Sequence, residues 1–241
     1  MIDTHSHYNS KDIINLEEEI INHSTLTSII NVGLDIDTSL ETVLLSNINE
    51  KFYSTIGIHP LKEGNPLDLL DIYNNYSNNK IVGVGEIGLD TTGDIEKQKD
   101  KFIQMIEIAN IVKLPIIIHS KNSNEEVIKI IKNHKPKYGF VFHCFQPDLD
   151  ILKQIIQLGG YISVGPPVTR KTAKKSLEVI DIVPIEKLLI ETDYPYMTLN
   201  PLIDLKNVLD KIVEIKNIDP IILEKQLDNN SKVLFKKLNN K

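Results

Sequence analysis

The chain alternates between two kinds of segment. Eight short apolar runs, rich in β-branched residues, each give way to polar sequence with helix-like character. The runs are Ile2 to His5, Thr27 to Gly33, Phe52 to Ile58, Ile81 to Glu86, Pro115 to His119, Phe140 to His143, Tyr161 to Val164 and Leu188 to Asp193. Between the fourth and fifth, Ile95 to Val112 spaces Phe102, Ile103, Ile106, Ile108 and Ala109 as a helix would. It stops before Leu114-Pro115, because a residue preceding proline is pushed out of the helical region. Glu125 to Asn133 repeats the pattern with Val127, Ile128, Ile130 and Ile131, and Asp148 to Leu158 repeats it between Pro147 and Gly159-Gly160. Leu202 to Leu238 reads as two closing helices divided near Asp219-Pro220. Strand–helix alternation eight times over in 241 residues predicts a (β/α)8 TIM barrel, one domain spanning 1–241. The alternative is an open doubly wound sheet. Such sheets often carry a phosphate-cradling glycine fingerprint after the first strand, where this chain has His5-Ser6-His7.

Composition narrows the picture only modestly. An apolar content of 41% and a charged content of 25% describe an ordinary soluble protein. No apolar run approaches membrane-spanning length, and the first residues do not have the make-up of a signal peptide. Cys144 is the only cysteine, which excludes an intrachain disulfide and fits a cytoplasmic location. No membrane and no obligate protein partner is expected. Net charge is −6 and Arg170 is the only arginine, so a broad basic nucleic-acid-binding face is excluded. If the substrate is a polyanion, bound cations must supply most of the local positive charge.

The candidate chemistry falls at strand ends. Barrel enzymes take their catalytic groups from the carboxyl ends of strands. Here His5 and His7 leave the first strand on one face, since strand side chains alternate with period two. His59 follows the third run, Glu86 ends the fourth, His119 the fifth, His143 the sixth and Asp193 the eighth. The other histidines, His23 and His134, lie in polar helical stretches and read as surface residues. His5, His7 and Asp193 suit one metal ion, His119 and His143 suit a second, and Glu86 can bridge with its two oxygens. This thiolate-free, imidazole-rich set favours Zn, Mn, Ni or Co over Mg. Paired divalent ions would polarise a phosphoryl or carbonyl group and activate a water, which Asp193 can orient or deprotonate.

Taken together, Met1-Ile2-Asp3-Thr4-His5-Ser6-His7, Gly57-Ile58-His59-Pro60, Gly83 to Asp90, Leu114 to Ser120, His143-Cys144-Phe145 and Glu191-Thr192-Asp193-Tyr194-Pro195-Tyr196 resemble the TatD family of metal-dependent hydrolases. The motifs occur in family order and cover nearly the whole chain. The resemblance implies a TIM barrel, two divalent metals and 3′-to-5′ deoxyribonuclease activity. It places the metal ligands at His5, His7, Glu86, His119, His143 and Asp193. The chain departs from the family pattern at Thr91, at Gln146-Pro147 and from Met197 to Pro201, all in expected rim loops where substrate is recognised.

The remaining candidates have competing readings. His59 either bonds a substrate phosphate or caps its own turn. Asp90 either orients Glu86 or caps the next loop. Cys144 is a poor nucleophile candidate, because a residue next to an inward-facing ligand on a strand should point into the core. Arg170 and Lys171, with Lys174 and Lys175, follow the seventh strand and are candidate contacts to flanking phosphates of DNA; otherwise they form a solvated helix face. Two rival functions remain. One is an esterase or amidohydrolase at the same site, such as a D-aminoacyl-tRNA deacylase. The other is a non-catalytic binding barrel, against which stands the full set of ligands.

Overall fold

A computed structural model describes residues 1–11, 25–76 and 80–239. Eight strands form one parallel sheet in sequential order. They are β1 (Ile2–Ser6), β2 (Ser28–Val32), β3 (Phe52–Ile56), β4 (Ile81–Asp90), β5 (Ile116–Lys121), β6 (Phe140–Phe142), β7 (Tyr161–Val164) and β8 (Leu188–Ile190). The helices among the described residues are α1 (Ile36–Ile48), α2 (Asp68–Tyr76), α3 (Ile95–Val112), α4 (Asn124–His134), α5 (Leu149–Gln157), α6 (Lys174–Ile182), α7 (Pro201–Lys216) and α8 (Pro220–Leu234). Sequential parallel order is that of a (β/α)8 barrel, and it rules out the doubly wound alternative, whose strand order reverses.

The seam between β8 and β1 is closed largely by the residues just beyond β8. Asp193 N donates to His5 O at 2.9 Å, and His7 N donates to Tyr194 O at 2.7 Å. The hydroxyl of Thr4 donates to Ile190 O at 2.9 Å. Asp3 accepts from Thr192 twice, from the backbone N–H at 3.0 Å and from the hydroxyl at 2.6 Å. The chemistry-bearing ends of the first and last strands are thereby fixed to each other.

Successive residues of the strands enter different apolar layers. Ile29, Ile116, Ile118, Phe140, Phe142, Leu188 and Ile190 pack with helix residues such as Phe102, Val127 and Ile155. Ile2, Ile30, Val32, Ile117, Val141 and Leu189 pack with one another inside the barrel, where Leu234, Phe235 and Leu238 stopper the end. This parity carries forward along each strand. Ile117 points inward, so His119 does; Val141 points inward, so His143 does; Leu189 points inward, so Glu191 does.

Several expected boundaries move. Glu86 was expected to end the fourth strand, but β4 runs on to Asp90. Glu86 is brought inward by an extra residue in β4, which pairs Val84 with Ile116 but Ile87 with Ile118. Glycines flank it of necessity: a Cβ on Gly85 would sit 2.7 Å from Ile117 Cβ, and Gly88 adopts φ +143 against the His119 carbonyl. The peptide bond between Gly85 and Glu86 is cis. β8 closes at Ile190, so Asp193 lies three residues past it rather than within the strand. His134 ends α4 as expected, and His23 lies outside the described residues.

Phe235 is fully buried in the stopper, far along the chain from the strands it seals. Replacing it with alanine should lower stability by about 3–5 kcal/mol, the usual cost of emptying an aromatic core position. Urea or thermal unfolding measures this. A loss below about 1 kcal/mol would mean that the stopper is not part of the core.

Candidate metal centre

Six side chains predicted to hold metal meet at one end of the barrel. His5 Nε2 and His7 Nε2 lie 3.0 Å apart. Glu86 Oε2 is 3.5 Å from His5 Nε2 and 3.6 Å from His7 Nε2. Asp193 Oδ1 is 3.4 Å from His7 Nε2 and 3.8 Å from His5 Nε2. The other carboxylate oxygen of Glu86 faces the opposite group, with Oε1 2.6 Å from His119 Nδ1 and 2.7 Å from His143 Nε2. Two of the donor groups close enough to share an ion are therefore His5–His7–Asp193 and Glu86–His119–His143.

Outer partners fix which imidazole nitrogen faces inward. His7 Nδ1 is 2.9 Å from the Val32 carbonyl, so its proton belongs there and Nε2 carries the free lone pair. His119 Nε2 is 3.2 Å from Asp90 Oδ2, which leaves Nδ1 as its inward acceptor. Asp90 thus supports His119 rather than Glu86. Its second oxygen also caps the next loop, accepting from the Thr92 backbone at 2.8 Å and hydroxyl at 2.6 Å. For His59 the pattern is reversed. Its Nδ1 accepts from Leu61 N at 3.2 Å, so Nε2 bears the proton and points toward Glu86 Oε1, 3.9 Å away. His59 therefore caps its own turn and presents a donor to the centre. Burial lowers it to about 4, which keeps that donor neutral.

The electrostatics favour a cation here. Asp3, Glu86, Asp90, Glu191 and Asp193 are all buried, and no lysine or arginine is among the described residues that are buried. Burial alone would raise Glu86, yet the imidazoles of His143, His119 and His5 outweigh it and hold Glu86 well below the usual carboxylate range. Asp193 is lowered in the same sense, as His7, His5 and His143 outweigh its burial. Burial lowers His5, and repulsion from His143 adds to this. For His143 burial acts downward too, but Glu86 and Glu191 overcome it and raise the ring well above its ordinary value. A field that attracts a proton this strongly attracts a metal cation, and buried carboxylates need such a partner. The donor set fits the two ions that the sequence suggests.

Two supporting residues were not singled out from the sequence. Glu191 is fully buried. Its Oε1 accepts from Cys144 N at 2.7 Å and lies 3.4 Å from His143 Nδ1, while Oε2 accepts from the Ser163 hydroxyl. The inward parity of Leu189 was the signal that could have found it. Asp3 is the other, the buried tie to Thr192 described above. Burial raises its carboxyl to about 7, even against the Thr192 hydrogen bonds.

Cys144 does not point into the core as expected. β6 ends at Phe142, so strand alternation no longer applies, and Cys144 turns into the left-handed region at φ 42. It sits half-buried on the wall of the central pocket. Burial, reinforced by Glu191, pushes its thiol up to about 12, far from a reactive thiolate. The pocket has a volume of about 490 Å³ and opens over Glu86, His119, His143 and Asp193. Lys62 and Lys121 are the basic residues on its wall. Arg170 and Lys171 are exposed just after the 3-10 turn Pro166–Thr169 and do not line this pocket. A smaller cavity shares Cys144 and Gln146 with this pocket and is lined beyond them by Pro167, Val168 and Ser176; Arg170 and Lys171 do not line it either.

Known proteins place this arrangement in context. The model of the family described as TatD related DNase matches residues 2–236. An uncharacterized metal-dependent hydrolase of Bacillus subtilis, YabD, is 32% identical over 252 residues, covering 98% of this chain and 99% of that protein. The uncharacterized metal-dependent hydrolase MG009 of Mycoplasma genitalium is 31% identical, covering 97% and 98%. Among solved structures, the TatD homologue YjjV of Escherichia coli superposes with a TM-score of 0.89 at 27% identity, covering 98% of each chain. A TatD family hydrolase of Entamoeba histolytica shares the fold with a TM-score of 0.84 at 21% identity. With its barrel, its clustered imidazoles and carboxylates, and a match that runs nearly end to end, the chain belongs to the TatD family of metal-dependent hydrolases.

Proposed function

We propose that this protein is a two-metal phosphodiesterase that trims DNA from its 3′ end. The observation that carries the reading is the division of Glu86, one oxygen toward His5 and His7 and the other toward His119 and His143. His5, His7 and Asp193 would hold one ion, His119 and His143 the second, and Glu86 would bridge. Bound there, a pair of divalent ions would polarise the scissile phosphoryl group and bring an attacking water toward ionisation near neutral pH. Imidazole donors favour Zn, Mn, Ni or Co for that role over Mg.

The chain's own groups do the rest. Asp193 stays ionised at neutral pH and would receive the proton of the attacking water. As the new P–O bond forms, the bond from phosphorus to the 3′ oxygen of the preceding nucleotide breaks, and that oxygen takes up a proton from Asp193 or solvent. Neutral His59 donates a hydrogen bond from its Nε2–H to a phosphate oxygen. Arg170 and Lys171, exposed after β7, contact phosphates flanking the cleaved one. In a chain of net charge −6 these contacts are few, so DNA affinity is weak, and each contact adds about 0.7 to the log–log salt slope.

The direct test presents metal-loaded protein with single-stranded DNA labelled at the 3′ end, RNA and D-aminoacyl-tRNA side by side. Release of 3′-terminal nucleotides from DNA is expected. Cleavage of the aminoacyl ester alone would overturn the phosphodiester reading. Asp193→Asn should depress turnover on DNA by ~10²–10⁴-fold, as loss of a positioned acid–base group does, with a smaller change in KM. Near-normal turnover would exclude Asp193 from proton transfer.

The metal roles have readouts independent of activity. Elemental analysis should give two ions per wild-type chain, and one or none in Glu86→Ala. One ion in fully loaded wild type would reject the bridged pair. Glu191→Gln should weaken metal affinity about 10- to 100-fold in chelator competition, because the outer partner of His143 is altered. Unchanged affinity would make Glu191 a packing residue only.

A further inference from the structure

The metal-type floor of the central pocket is walled on one side by apolar side chains that the proposed chemistry leaves unused. Leu34, Leu61, Tyr196 and Met197 line the pocket beside His7, His59 and Asp193. Leu61, Tyr196 and Met197 are exposed there, Tyr196 by 65% of its surface. The Tyr196 ring meets His7 in a T-shaped contact, with centroids 5.2 Å apart and planes at 74°. The two rings therefore do not cover each other face to face. Tyr196 follows Asp193 by three residues, in a loop pinned by hydrogen bonds from Met197 N to Asp193 O and from Asp193 N to His5 O. An aromatic surface is thus held at a fixed place next to a metal-type side chain.

From this juxtaposition we infer that Tyr196, with Leu61 and Met197, forms a binding site for a nucleobase: the base of the nucleotide joined to the scissile phosphate. The inference rests on the phosphodiester reading. A base is carried one sugar away from its phosphate, and Tyr196 lies one ring contact away from the floor. The wall cannot take a flanking phosphate instead, since apolar side chains do not compensate a desolvated charge. The nearest cations, Lys62 and Lys121, already face Asp35 at 3.4 Å and Asp90 at 3.8 Å. Stacking is tolerant of base identity, because each base offers a flat π-face, so the site accepts all four nucleotides.

The test uses two single strands that differ only at the 3′-terminal residue, 2-aminopurine in one and a reduced abasic sugar in the other. Metal-loaded wild type should cleave the base-bearing end with a kcat/KM about 5- to 150-fold higher, the range that base–aromatic stacking spans. Tyr196→Ala should bring that ratio close to one, and Tyr196→Phe, which keeps the ring, should retain it. Binding of a phosphorothioate-blocked 2-aminopurine strand should quench the base's fluorescence with wild type and Tyr196→Phe, and much less with Tyr196→Ala. Equal cleavage of the two ends by wild type, or a ratio that Tyr196→Ala leaves unchanged, overturns the base site while the phosphodiester reading stands. Cleavage of neither strand overturns both.

Discussion

Five carboxylates gathered in the dry end of a barrel, with no buried lysine or arginine beside them, set the constraint on which this structure depends. Unpaired buried charge is costly, and removing one partner of a buried pair leaves the other exposed to that cost. Imidazoles face these acids, and three of them have a group behind the ring: Val32 O for His7, Asp90 for His119, Glu191 for His143. Asp3 is the exception among the acids. It faces no cation and instead spends its oxygens on Thr192, which makes it a tie between the ends of β1 and β8 rather than a ligand. The inner carboxylates Glu86 and Asp193 face the imidazole nitrogens directly, and so form the part of the cluster suited to holding ions.

Geometry of this kind is accompanied by local backbone departures at the site. β1 and β4 each carry an irregular register next to a site residue, near His5 and Glu86. Cys144 and Asp193 turn left-handed two and three residues past the ends of β6 and β8. Such conformations in non-glycine residues cost of order 1–3 kcal/mol and persist only where surrounding bonds over-determine them. Here they do. The Cys144 N–H is fixed by Glu191, and Asp193 is held through its N–H by His5 O and through its carbonyl by Met197 N. The opposite end of the barrel has none of this chemistry. It is sealed by Leu234, Phe235 and Leu238, so stability and reactivity are drawn from different ends of the same eight strands.

The pocket above the centre is asymmetric, and this bears on substrate more than on mechanism. Its floor is histidine and carboxylate, one wall is Leu34, Leu61, Tyr196 and Met197, and its lysines face acidic neighbours. A protein of net charge −6 does not grip a polyanion by a wide basic surface. Recognition in such a molecule depends on the reacting group and what lies immediately beside it. Of the loops that sequence comparison sets apart from the family pattern, those carrying Gln146 and Met197 line that opening.

Much of this was legible in the sequence. Alternation of β-branched runs with helical spacing points to a parallel sheet covered by helices, because each strand must bury both faces and each helix one; the sequential strand order separates the barrel from a doubly wound sheet. The placement of His5, His7, His119 and His143 at strand ends follows from period-two alternation, a local rule that survives folding. What the sequence could not supply is whatever depends on two segments meeting. Glu86 sits mid-strand in β4 and reaches the centre through a bulge whose register is set by β5, not by its own neighbours in the chain. The Cys144 side chain lines the pocket instead of the core, because β6 ends one residue before His143. Asp3 and Glu191 read as members of motifs, yet their roles arise only from pairing with Thr192, 189 residues away, and from lying behind His143 across the barrel. Which nitrogen His7 and His119 present was likewise decided by a carbonyl and a carboxylate from other strands, Val32 O and Asp90. Periodicity along the chain determines which way a side chain faces, and only closure of the barrel determines what it faces.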